Sequence, residues 1–123
     1  MKTALRINTD CTTEVLDLEA EAYEQLRDAV GGLIQPVDLR DDLTIWVNEE
    51  GKLINGMQAN VIGTHMWTKS YGPTDVIMGN VVFTGGTDED GEHVALSSVW
   101  LAQLEEIAER LRSSLAGGGG LIG

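Results

Sequence analysis

Runs of alternating polar and apolar residues exchange with runs of helical spacing along most of the chain. Alternation with a period of two predicts strands that bury one face, and apolar positions three or four apart predict amphipathic helices. Clusters of Gly, Asn and Asp separate these runs and predict turns. The predicted elements are strands over residues 3–8 and 13–16, a helix over 18–30, strands over 33–39 and 43–47, a short strand or extended piece over 52–54, a short irregular helix over 59–69, strands over 75–84 and 92–96, and a helix over 98–115.

Particular residues refine three of these elements. Pro36 cannot donate a ladder hydrogen bond, so its strand is placed at a sheet edge or at a bulge. The run from Asp75 to Thr84 is almost continuously apolar, which is typical of a strand buried on both faces, and we expect it at the centre of the sheet. Ser98 is the expected N-cap of the last helix.

This order of elements predicts an α+β fold in a single domain, residues 1–116. Its twisted, mainly antiparallel sheet is packed by two amphipathic helices and by the short irregular helix. With 123 residues, of which 42% are hydrophobic, the chain is long enough to bury a core of its own. Residues 117–123 begin with consecutive glycines, and we expect a flexible Gly-rich tail there.

The charge balance narrows the classes of partner. The chain has 20 Asp and Glu against 8 Lys and Arg, and its formal net charge is −12. Such a surface repels nucleic-acid backbones and anionic lipids, so we expect a protein partner and neither direct nucleic-acid nor membrane binding. The chain shows no export signal, no apolar run of membrane-spanning length and a single cysteine, Cys11. We therefore expect it in the cytoplasm.

Residues that commonly carry catalysis are few. The histidines His65 and His93 and the single Cys11 are not spaced as a nucleophile and its base. The acidic turn at residues 88–92 lacks the ligand spacing of a calcium loop. We therefore expect no catalytic residue, no metal and no other cofactor, and a protein that is not an enzyme.

Two groups of residues are candidates for binding. The first combines aromatic, cationic and amide side chains, which suit a partner surface or a nucleotide, with one carboxylate, Glu49. The second is a dense run of acids, which is either a solvated face or a surface that imitates the charge of DNA. The first group is Asn48, Glu49, Lys52, Asn60, Trp67, Lys69 and Tyr71, with Arg40 as a further cation, and the second is Glu14, Asp17, Glu19, Glu21, Glu24 and Asp28.

Three stretches resemble the signature of one family: Val30-Gly31-Gly32-Leu33-Ile34, Val47-Asn48-Glu49-Glu50-Gly51-Lys52-Leu53 and Asp75-Val76-Ile77-Met78-Gly79-Asn80. They are similar to a small domain of unknown function that is common in bacteriophages, plasmids and actinobacterial genomes. The resemblance covers about residues 3–96. In that family the turn motif, which here is residues 47–53, is followed by a Pro-containing loop, an Asn and a short helix that ends in an aromatic residue. Asn60 and Trp67 match this pattern, whereas Gly56-Met57-Gln58 stands in place of the prolines. The resemblance implies a genomic setting and no mechanism.

From these observations we expect a non-enzymatic accessory protein of a phage or mobile element that binds and inhibits a host protein, in host takeover or anti-defence. One alternative is a small-ligand binder that captures a nucleotide immune signal. A second alternative is a DNA mimic that inhibits a nucleic-acid enzyme. The apolar stripe around Trp100 would serve a homodimer or a higher oligomer as well as a core, so the oligomeric state stays open.

Overall fold

Strands and helices account for most of the chain in the computed structural model, which describes the backbone of residues 1–122 and the side chains of residues 1–115. Within those residues a short 3₁₀ turn, Gly51–Leu53, follows the fourth strand. The strands are β1 (Thr3–Ile7), β2 (Thr13–Asp17), β3 (Ile34–Arg40), β4 (Leu43–Asn48) and β5 (Val81–Thr84), and the helices are α1 (Ala22–Val30), α2 (Val61–Tyr71) and α3 (Ser98–Ile122).

The strands form one antiparallel sheet in the order β2-β1-β5-β4-β3. β1 and β2 form one hairpin, and β3 and β4 form another. β5 inserts between the two hairpins and pairs with β1 on one side and with β4 on the other. The predicted α+β class is confirmed, and so is a central strand within the apolar 75–84 run, although only Val81–Thr84 forms it.

Side chains alternate across the sheet and build a core on each face. The face toward α2 and α3 carries the larger core, in which Phe83 of the central strand is fully buried. The face toward α1 carries a smaller core around Trp46 and Val82. Both amphipathic helices therefore cover the sheet, as the apolar spacing predicts, but they lie on opposite faces.

The edge position predicted for the Pro36 strand is confirmed, since β3 pairs with β4 alone. The backbone N–H of Glu49 donates to the Leu33 carbonyl at 2.8 Å, which fixes the alternation along β3. Leu33, Gln35 and Val37 thus direct their backbone polar groups toward β4. Pro36 faces outward, where its missing N–H leaves the ladder intact.

Two predicted strands are wrong. Residues 52–54 form the 3₁₀ turn instead, in which the N–H of Leu53 donates to the Glu50 carbonyl at 2.9 Å. Residues 92–96 contribute only an isolated bridge between Thr87 and His93. The pairing stops there because the chain leaves toward β1, where the N–H of Leu96 bonds a β1 carbonyl at 2.8 Å.

Other elements start later than predicted. α1 begins at Ala22 and not at Leu18, because the N–H of Leu18 donates to the Lys2 carbonyl at 2.8 Å and prolongs the first hairpin. Glu21 then adopts a φ of 54°, which a right-handed helix does not accommodate. The strand predicted from residue 75 begins only at Val81, because a φ of 84° at Gly79 breaks the extended backbone.

The last helix begins at the predicted residue, Ser98, although its cap lies one position earlier. The Ser97 hydroxyl oxygen accepts from the N–H of Trp100 at 3.1 Å, as an N-cap does. α3 continues to Ile122, beyond the predicted end at residue 115, whereas the flexibility predicted for residues 117–123 stays a prediction. In the part of the chain that the structure describes, no helix has the length and apolar character needed to cross a bilayer.

Replacing Phe83 with Ala should lower the free energy of unfolding by about 4 kcal/mol, because loss of the ring leaves a cavity in the larger core, against the central strand. Urea denaturation followed by circular dichroism measures this change. Val99 on α3 is 64% exposed, so Val99→Ala is a control that should change stability by less than about 0.5 kcal/mol. A loss below about 1 kcal/mol for Phe83→Ala would contradict the position of β5 in the core.

Candidate functional site

Asn60, one of the predicted binding residues, is fully buried and fastens three segments together. Its Nδ2 donates to the carbonyl of Ile7 at 3.0 Å and to that of Gly79 at 2.9 Å. Its Oδ1 accepts from the N–H of Gly63 at 2.9 Å and so caps α2. Both amide hydrogens are thus used within the protein, where they tie the end of β1 to the approach to β5.

Asn48 has a similar structural use at the end of β4. Its Nδ2 donates to the Val30 carbonyl at 3.1 Å, and its Oδ1 accepts from the N–H of Glu50 at 2.8 Å. A Cβ at Gly32 would lie 3.0 Å from that Nδ2, so glycine is needed for the close approach. The amide therefore holds the C-terminus of α1 to the sheet, while the neighbouring Glu49 is exposed.

The aromatic candidates do lie together. The rings of Trp67 and Tyr71 are 4.7 Å apart between centroids. The indole Nε1 of Trp67 donates to the Thr74 hydroxyl at 2.9 Å, and the Tyr71 hydroxyl donates to the carbonyl of Asp38 in β3. This pair holds the end of α2 to the edge strand, and Tyr71 as a whole is 46% exposed.

The structure gives the cationic candidates separate neighbours. Lys52 pairs with Asp75 beside an open groove of about 480 Å³, which Thr64 and Thr68 also line. The guanidinium of Arg40 lies 5.9 Å from the ring centroid of Trp100. Lys69 is exposed on α2. A nucleotide phosphate in this groove would have to displace the Asp75 carboxylate from Lys52.

The predicted run of acids forms an exposed surface on β2, on α1 and on the turn between them. Three cations lie near it: the N-terminal amine is 3.3 Å from Glu19, Arg6 is 4.0 Å from Glu14, and Arg27 lines one depression of α1 together with Glu24 and Asp28. The backbone N–H groups of Lys2 and Glu19 donate to Asp17 and lower the pKa of that carboxyl, so it stays ionised. We call this the acidic surface; it consists of Glu14, Asp17, Glu19, Glu21, Glu24 and Asp28.

Sequence reasoning missed a small recess of about 290 Å³ with a mixed polar and apolar lining. It lies between the turn after β1, the C-terminus of α1 and the approach to β5. Asn80, whose side-chain oxygen accepts from the backbone N–H of Thr9 at 3.0 Å, and Gln58 both line it. Gly31 and Gly56 line the recess too. These glycines, which break the apolar periodicity, were the feature of the sequence that could have indicated it.

The residues considered for catalysis lie apart from one another in the fold. Cys11 is buried, and that burial, with the nearby Asp10 charge, raises the pKa of its thiol and disfavours the nucleophilic thiolate. His65 is exposed on α2, whereas the ring of His93 packs edge-on against that of Trp46, with 4.2 Å between the ring centroids. Over the described residues, no three His, Cys, Asp or Glu side chains converge to hold a metal ion.

Fold and site together define a small α+β domain in which the signature amides Asn48 and Asn60 bond to the protein's own backbone, and in which β2, α1 and the turn between them carry the acidic surface. The chain matches the model of a domain of unknown function (DUF3846) over residues 1–111, and it belongs to this family. The match includes α3 as far as residue 111, beyond the stretch of about 3–96 in which the resemblance is visible. Neither the curated proteins nor the solved structures compared with the chain gave a match.

Asn60→Ala should destabilise the protein by about 3 kcal/mol, because it leaves buried backbone groups without partners at Ile7, Gly79 and Gly63. Urea denaturation measures the loss. Asn55 is exposed beside the 3₁₀ turn, and Asn55→Ala is the matched control, with a change below about 0.5 kcal/mol. Equal stability of the two variants would show that Asn60 does not fasten the sheet.

The surroundings of His93 predict that the stability of the fold depends on pH. Burial, and then the charge of Lys2, lower the pKa of His93 below its ordinary value of 6.5, against the opposing charges of Asp38 and Glu92. Its Nδ1 is buried with no hydrogen-bond partner among the described residues. The folded protein therefore favours the neutral ring.

The unfolded chain takes up a proton on His93 at a higher pH than the folded protein does. Stability from this group is thus present above pH 6.5 and lost as the pH falls through the folded-state pKa. Denaturation series across this range should show a smaller acid-dependent loss in His93→Gln than in the unsubstituted protein. His65→Gln is the control, and a pH profile equal in both variants would contradict the assignment.

Proposed function

We propose that this protein binds a host protein through the acidic surface and inhibits it, without catalysing a reaction. The observation that carries the proposal is the exposure of every member of the acidic surface on one continuous segment, from Glu14 to Asp28. The signature amides that sequence reasoning offered as binding groups are engaged inside the protein. The phage and mobile-element setting implied by the resemblance supports a host protein as the partner.

Electrostatics suits this mode of action. A net charge of −12 on a small domain raises the rate of encounter with a basic surface. Exposed charges are screened over a Debye length of about 8 Å at physiological salt, so binding should weaken as salt is added. Since exposed ion pairs add little affinity each, the partner must complement the surface over several groups at once.

A nucleic-acid enzyme is the second candidate class of partner. Its basic groove already accommodates a regular array of negative charge, and the exposed acids on β2 and α1 supply negative charge without an intervening base between residues 10 and 21. Duplex DNA added to the isolated complex separates this class from the others. Displacement of the protein by DNA identifies a DNA mimic, and retention identifies a partner surface outside such a groove.

The triple variant Glu19→Gln, Glu21→Gln, Glu24→Gln should lose a partner that the unsubstituted protein retains from bacterial lysate at low salt, because it neutralises the centre of the acidic surface. The matched control replaces Glu105, Glu106 and Glu109 of α3 with Gln; these side chains are also exposed, and the charge change is the same. Quantitative mass spectrometry measures recovery. The recovered partner is then purified and assayed, and its activity should fall when the protein is added.

Two results would contradict the proposal. One is the recovery of no stoichiometric partner at any salt concentration. The other is equal recovery by the two triple variants, because net charge alone, and not the acidic surface, would then explain the binding.

A further inference from the structure

The two edges of the sheet differ in whether they can accept another strand. On β3 the outward position at Pro36 has no N–H to donate, and the outward carbonyl of Asp38 already accepts from the Tyr71 hydroxyl. A break in the register between Asp38 and Arg40 further disrupts that edge. These features close β3 to strand addition.

The open edge is β2, and three hydrogen bonds fix which of its backbone groups face outward. The backbone N–H of Asn8 donates to the carbonyl of Thr12 at 2.9 Å, and the backbone N–H of Leu18 donates to the carbonyl of Lys2 at 2.8 Å. Even-numbered residues of β2 therefore direct their polar groups to β1, and odd-numbered residues direct theirs outward. The outward carbonyl of Asp17 accepts from the Gln25 side chain at 2.7 Å, as this alternation requires.

The outward groups of Thr13 and Val15, together with the N–H of Asp17, have no strand beside them in the described part of the chain. Val15 is 44% exposed, and β2 has neither a proline nor a bulge. The Gln25 side chain closes the far end at the Asp17 carbonyl. The free run thus has the length of a short added strand.

Charge identifies the occupant that this edge suits. Residues 10–21 contain five acids and no Lys, Arg or His. Glu14 and Asp17 lie on opposite faces of β2, so an added strand would meet a carboxylate on either face. A second copy of this chain would place the same acids against each other, which like-charge repulsion opposes. An extended segment that carries Lys or Arg is the complementary occupant.

We propose that the outer edge of β2 binds an extended basic segment of the partner by strand addition. This inference rests on the proposed function and specifies how the partner engages the acidic surface. Backbone hydrogen bonds to Thr13, Val15 and Asp17 would supply the register, and the carboxylates on both faces would select for positive side chains. The competing explanation is that the acids only keep a bare edge from pairing.

Defined peptides distinguish these explanations. The probe is a short peptide of alternating Lys and Thr, and its matched control has the same sequence with alternate amides N-methylated along the pairing edge. Both carry the same charge, but the methylated form cannot form the ladder. In hydrogen exchange followed by NMR, the unmodified peptide should slow exchange of the Thr13, Val15 and Asp17 amides about tenfold, and the methylated one should leave it unchanged.

Other outcomes overturn strand addition. Equal binding of both peptides, with no protection of these amides, means that charge alone attracts the segment. Failure of the unmodified peptide to bind at low salt means that the acids serve only to keep the edge unpaired.

Val15→Pro tests the same edge in the whole protein. It removes one outward N–H and leaves the bonds to β1 in place, as Pro36 does on the other edge, and circular dichroism checks that the variant folds. Its affinity for the unmodified peptide, measured by calorimetry, should fall about tenfold, while Val15→Thr, which keeps the N–H, should bind as the unsubstituted protein does. Unchanged affinity in Val15→Pro overturns the inference.

The partner recovered from lysate separates this inference from the proposed function. If Val15→Pro retains that partner while the triple acidic variant loses it, the acidic surface stands and strand addition fails. If both variants retain it, the proposed function fails as well.

Discussion

Pairing of β5 on both of its sides is the constraint on which the rest of the structure depends. β5 has four residues, yet it joins two hairpins that have no strand pairing with each other in the described sheet. The amide of Asn60 holds its start, because it bonds the carbonyls of both Ile7 and Gly79. A buried amide with both hydrogens satisfied stabilises this junction, whereas an unsatisfied one would cost more than the bonds contribute. This asymmetry explains why a polar residue occupies the centre of an apolar layer.

Much of the fold follows from periodicity in the sequence. The first hairpin, the edge position of Pro36 and the apolar stripe of α3 were predicted, because each depends on residues close together in the chain. The strands predicted at 52–54 and 92–96 were wrong, because a short extended segment becomes a strand only where a partner's backbone is free. Such availability is a property of the assembled sheet and is invisible in the local pattern.

In the candidate site, too, the exposure of side chains could be predicted from the local sequence, whereas their hydrogen-bond partners could not. The exposure of the acidic surface is consistent with a prediction from charge density, since carboxylates rarely bury without a partner. Asn48 and Asn60 were predicted as binding residues. In the sequence, however, an amide that hydrogen-bonds to the protein's own backbone cannot be distinguished from an amide that binds a ligand. Its hydrogen-bond partners distinguish the two, and they come from segments up to 53 positions away.

The central strand is also among the last parts of the sheet to be synthesised. While a ribosome translates the chain, both hairpins emerge before Val81, so each must wait with a bare inner edge that only β5 covers among the described strands. Contacts between residues far apart in the sequence slow folding, so that aggregation-prone intermediates persist for longer. The first hairpin carries three acids, Asp10, Glu14 and Asp17, against the single base Arg6, and this net negative charge opposes its pairing with the hairpin of another nascent copy.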